Sequence, residues 1–197
     1  MLKKLRLSSQ RGAMFGLDAR IALAIIGALS LVTGTTMFMT IPQVQSKSLV
    51  KDIEAYKTAV EGMQYDLRQS IHSAVTTGGV LNTKAFQALN DPTLLVAAAQ
   101  PRWLGPYLKA RQGDASTHEN YGQMHLIRAE KEDPTDETCA PCFYWLQIDD
   151  APVNTFNEVN QLIDGTEATP QVSGKARFAA AAGVDPDRLY VRLGKTL

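Results

Sequence analysis

Apolar and polar positions divide the chain into three kinds of stretch. Residues 21–41 are apolar almost throughout, and no charged residue lies between Arg20 and Lys47. As an α-helix these 21 residues cover about 30 Å, the thickness of a bilayer's hydrocarbon core. Beyond Pro42 the pattern changes. Apolar residues recur at Leu49, Ile53, Tyr56, Val60, Met63, Leu67, Ile71 and Val75, in steps of three or four, while Lys51, Asp52, Glu54, Lys57, Glu61 and Arg68 fall off that stripe. This predicts an amphipathic helix with one covered face, running on to Gly78-Gly79. Gly34 and Pro42 lie between the two helical stretches, and proline removes a backbone hydrogen bond, so a kink or short melted stretch is expected over residues 34–42.

The rest of the chain reads as a head. A short helix is expected near Thr83–Leu89, followed by a proline-bounded segment, Thr93–Pro101. Strand-like runs follow at Gln123–Ala129, Cys142–Ile148, Ala176–Ala180 and Leu189–Leu193. Between the second and third, Pro152–Ile163 patterns as a short amphipathic helix ended by Asp164-Gly165. The expected class is α+β: a long N-terminal helix whose second half packs on an antiparallel sheet of about four strands.

Charge sharpens this picture at the N-terminus. The chain has 20 basic and 20 acidic residues, but Lys3, Lys4, Arg6 and Arg11 precede residue 13, where there is no acid. Basic residues before an apolar span predict a cytoplasmic N-terminus and an exported remainder. Without that stretch the chain is weakly acidic, which gives no electrostatic reason to expect a nucleic-acid partner.

The apolar run is longer than the core of a secretory signal, and the plausible processing site lies before it rather than after it. Arg11-Gly12-Ala13-Met14-Phe15-Gly16-Leu17-Asp18 resembles the recognition sequence of prepilins: a basic leader, a small residue at the cut, a hydrophobic new N-terminus and an acid at its fifth position. A cut after Ala13 makes Met14 the first residue and Asp18 the fifth. Cuts after Gly12 or Gly16 would put Leu17 or Ile21 there and lose the acid. Most prepilins carry Gly before the cut and Glu at the fifth position, where this chain has Ala13 and Asp18.

Resemblance to the type IV pilins and type II secretion pseudopilins implies a pilin-like fold in three parts: a leader (1–13), a transmembrane and assembly half-helix (14–45) and a periplasmic head (46–197). It implies a structural, non-enzymatic subunit held in the inner membrane by a single pass. A prepilin peptidase cuts the leader, the new N-terminus at Met14 is methylated, and the helix joins other subunits through the assembly machinery to form a filament. In such assemblies the acid docks on the N-terminal amine of the neighbouring copy, the role expected of Asp18. Arg20 offers Asp18 a second partner within its own chain. The alternative class is a non-polymerising, membrane-anchored periplasmic binding or assembly protein. Trp103-Leu104-Gly105-Pro106-Tyr107-Leu108 resembles a pattern found after the long helix in major pseudopilins, where it is expected to pin the loop onto the sheet. The Asp-Pro-Trp-Gly signature of the pseudopilin calcium loop is absent, so calcium is not carried across.

Little else points to chemistry. Cys139 and Cys142 form Cys-Ala-Pro-Cys, which reads as a structural disulfide, as two free thiols, or as a redox dithiol. The last requires a thiolate at a helix N-terminus, and this motif sits before a strand. Two thiolates do not complete a tetrahedral zinc site, and His72, His118 and His125 show no ligand spacing, so neither metal nor cofactor is expected. Asp149, Asp150 and Asp164 are expected to be solvated turn residues.

Overall fold

The structure, a computed structural model, describes residues 12–77, 81–108, 116–166, 169, 171–180 and 186–197; the side chains of residues 12–15, 17 and 31–42 lie outside the description. The chain divides into two compact units, Met1–Val44 and Gln45–Leu197.

The described part of the first unit is helical and belongs to α1, Gly12–Leu67. The helix runs without a break through Gly34 and Pro42, so the expected melted stretch is not found. Every described side chain between Asp18 and Ser30 is exposed, including Ile21, Leu23, Ile25, Ile26 and Leu29. Among the described residues no helix is long and apolar enough to cross a membrane. From Leu31 onward, the expected span falls on side chains outside the description.

In the second unit α1 behaves as its periodicity dictates. Leu49, Ile53, Tyr56, Val60, Met63 and Leu67 are all buried and join one core with the sheet. Burial of such side chains contributes about 1.5–3 kcal/mol each. Strands β1 (Met124–Ala129), β2 (Phe143–Asp149), β3 (Ala176–Ala179) and β4 (Arg188–Lys195) form an antiparallel sheet in the order β1-β2-β4-β3. Met124, Leu126, Tyr144, Leu146, Ile148, Leu189, Val191 and Leu193 supply its core-facing residues. The class is therefore α+β with a four-stranded antiparallel sheet.

α1 ends earlier than its apolar stripe suggests. Arg68 takes left-handed backbone geometry (φ 54°), and the Arg102 guanidinium donates to the Leu67 carbonyl (3.3 Å), satisfying one of the acceptors that a helix end leaves open. A separate turn, α2 (Ile71–Ala74), follows, and its first amide donates to the buried Tyr144 hydroxyl of β2 (2.6 Å). Ile71 and Val75 stay buried, but in new elements: Val75 forms a β-bridge with Leu95. Helix α3 spans Leu81–Gln87 and sets Phe86 edge-on to Tyr56, with centroids 5.4 Å apart. Helix α4, Val153–Ile163, ends at Gly165 (φ 77°), where the left-handed conformation favours glycine. The Asp164 carboxylate accepts from the amides of Lys175 and Ala176 (both 2.7 Å), fastening the end of α4 to the start of β3. Asp164 is thus a structural acceptor rather than the solvated acid expected.

Candidate functional site

The residues expected to carry processing and assembly lie at the start of α1. Ala13 and Met14 are helical, with side chains outside the description. Asp18 and Arg20 are exposed on the same helix. Two residues apart at 3.6 per turn, they point to opposite sides, and no ion pair joins them. The pairing with Arg20 that the sequence offers Asp18 is therefore not found here. Past them the helix surface is apolar on all sides through Leu29.

Trp103–Leu108 locks two helix ends together, and Trp103, Tyr107 and Leu108 pack against the core that the sheet shares with α1. The Trp103 indole donates to the Ala88 carbonyl (3.0 Å), and the Tyr107 amide donates to that of Leu89 (2.9 Å), both just past α3. The Tyr107 hydroxyl donates to the Asp66 carboxylate on α1 (2.7 Å), and its ring meets Trp103 edge-on at 5.7 Å. Partial burial, and then the bond to Asp66, push the Tyr107 phenol up to about 12, so it remains a donor at neutral pH. At Gly105 any side chain would come within 2.7 Å of both the Trp103 and Tyr107 rings, so the close approach of the aromatics requires glycine.

The loop between β1 and β2, residues 130–142, folds back over the outer face of the sheet. Cys139 and Cys142 are joined in a disulfide, consistent with the position of the motif before a strand and incompatible with free thiols. Under the loop lies Trp145, fully buried, its indole donating to the Glu130 carbonyl (2.8 Å). Two guanidinium groups lie over its ring, from Arg177 at 5.4 Å and Arg192 at 5.5 Å, distances at which cation–π attraction acts. Arg192 reaches this position through a bulge in β4: Tyr144 pairs with Gly194 and Trp145 with Arg192, leaving Leu193 as the extra residue. Both arginines then grip the loop. Arg192 donates to the Lys131 carbonyl (2.6 Å), and Arg177 to the carbonyl and carboxylate of Glu132. Slight desolvation would raise the Glu132 carboxyl, but the bonds from Lys131 and Arg177 outweigh it and hold the group below its ordinary value.

The histidines form clamps that their spacing does not reveal. His125 on β1 is bonded through Nδ1 to the Thr83 hydroxyl of α3 (2.8 Å) and through Nε2 to Asp149 of β2 (3.2 Å). Gln147 donates to the same carboxylate at 2.6 Å. Burial pulls the Asp149 carboxyl up, but these bonds and the nearby Arg188 outweigh it and leave it below its ordinary value. Asp149 is thus tied into the sheet rather than solvated, whereas Asp150 is exposed with φ 57°. His118, buried, pairs with Asp52 of α1 at 3.5 Å. His72 stacks on Tyr144 and bonds Asn82 (3.1 Å), and burial pulls its pKa down. Among the described residues no group of three or more His, Cys, Asp or Glu could hold a metal ion.

Compared with known proteins, the chain matches no family model, no curated protein and no solved structure.

Proposed function

We propose that this chain is a structural subunit of a type IV pilus or type II secretion pseudopilus, cut by a prepilin peptidase after Ala13 and assembled through its N-terminal helix. One observation carries the reading: between Asp18 and Ser30 the helix is exposed all round, yet beyond Arg20 it is wholly apolar. Such a surface needs a cover from outside the chain. Lipid covers it in the precursor, and the helices of other copies cover it in the filament.

Asp18 then gains a purpose. A lone carboxylate among apolar helices is costly unless paired, and the α-amine created at Met14 on a neighbouring copy is the pairing group. The head half of α1, packed on an antiparallel sheet, supports the same pilin-like reading. The protein is held in the inner membrane by a single pass, head outward in the periplasm, until it is drawn into the filament.

Asp18→Ala tests this. The variant is expected to insert in the membrane and accumulate at wild-type level, while filaments sheared from the cells lose the subunit. Normal filament yield from Asp18→Ala would remove the docking role and favour a simple membrane anchor.

A further inference from the structure

We propose that a cleft at the C-terminal end of α1 receives the acidic β1–β2 loop of a second copy of this chain. The cleft encloses about 380 Å³ and is lined by Tyr65, Asp66, Arg68, Arg102 and Leu104. Tyr65 is 81% and Leu104 75% exposed, among the most open large apolar side chains of the head. An aromatic ring beside arginines is the composition of an interface anchor rather than of ordinary surface.

The cleft is preformed, which lowers the cost of ordering it on binding. Arg102 is held by its bond to the Leu67 carbonyl. The Leu104 amide donates to the Tyr107 hydroxyl (3.1 Å), which in turn donates to Asp66, so the cleft's one acid is already engaged. Two arginines against one engaged carboxylate make the rim attractive to acids.

The loop has the complementary charge. Residues 130–138 hold Glu130, Glu132, Asp133, Asp136 and Glu137 against Lys131 alone. It is rigid for a loop, tied by the disulfide and by Arg177 and Arg192. Asp133 and Asp136 each turn one oxygen onto the following Thr135 or Thr138, and Glu132 is matched by Arg177 and Arg192, so an excess of negative charge faces outward. Cleft and loop are different surfaces of one molecule, so the contact can repeat from copy to copy head-to-tail, the arrangement a filament requires. It rests on the proposed function only for the setting in which heads meet.

The test uses the purified full-length protein in detergent micelles, with photoreactive benzoylphenylalanine in place of Tyr65. Illumination is expected to give cross-linked dimers whose joined peptide maps to residues 130–138. Arg68→Glu in the probe-bearing copy is expected to lower the yield about tenfold, and mixing that copy with an Asp133→Lys partner to restore it, because opposed charges set partner choice. Both variants must keep the wild-type circular dichroism. Cross-links mapping elsewhere, no cross-link, or no rescue by the charge swap would each overturn the inference. An uncut N-terminus in a preparation that still cross-links through the loop would sink the filament reading and leave this contact standing.

Discussion

The two stretches of α1 share one helix, yet they meet opposite fates. Between Leu49 and Leu67 the apolar residues form a stripe, and the chain's own sheet buries it. Between Ile21 and Leu29 they encircle the helix and stay exposed. Periodicity makes the difference. A stripe can be satisfied by one partner on one side, whereas a fully apolar cylinder needs cover all round, from lipid or from a bundle of like helices. On the proposed function the first half of α1 serves other molecules, while the second half serves the chain's own fold.

Substitutions that treat the two halves alike should separate them most. Met63→Ala is expected to destabilise the head by about 2–5 kcal/mol, the usual range for emptying a packed core site. Ile25→Ala should leave head stability within about 0.5 kcal/mol. Urea unfolding of the full-length protein in micelles, followed by circular dichroism, reads both. Equal losses would break the comparison, since Ile25 would then be serving the fold.

The disulfide marks a second contrast, between a core held by apolar packing and an outer face held by a tethered loop. Opening it with Cys139→Ser and Cys142→Ser together is expected to cost about 1–2 kcal/mol, because a link between residues so close in sequence constrains the unfolded chain only modestly. The same unfolding assay measures it. A loss as large as that of Met63→Ala would show the loop to be part of the core.

The smallest effect concerns pH. Burial lowers the His72 pKa in the fold, so on acidification the unfolded chain takes up a proton more readily than the folded chain. Stability from this group is complete above its ordinary pKa of about 6.5 and is lost as pH falls from there toward the lower folded value. The slope is at most about 1.4 kcal/mol per pH unit. Replacing His72 with Asn should flatten the fall of unfolding midpoints just below the ordinary histidine pKa of about 6.5, and an unchanged slope would exclude His72 as the source.

Much of the head was legible in the sequence, because strands and amphipathic helices announce themselves locally. All four strands and α4 fall within two residues of their expected bounds at each end. What escaped depends on residues far apart in the chain. The end of α1 at Leu67 was hidden because the apolar spacing carries on in phase through Ile71 and Val75; Arg68 and the Tyr144 hydroxyl impose the break from outside that pattern. The Trp103–Leu108 segment was recognisable as an aromatic lock, but its hydrogen-bond anchors, Asp66 on α1 and Ala88 just past α3, are distant in sequence and carry no local signal. Arg192 over Trp145 needed a β-bulge that no local signal gave. For Ala13, Met14 and Asp18 the situation is reversed: their reading comes from the sequence, and the structure adds the exposed apolar surface that follows them.

The most direct test of a filament subunit is the intact mass and N-terminal sequence of the protein taken from native membranes and filaments. The account predicts a chain that begins at Met14, carries one added methyl group on its amine, and has Asp18 at its fifth position. A chain that keeps Met1, or one cut downstream of Ile41, would contradict it.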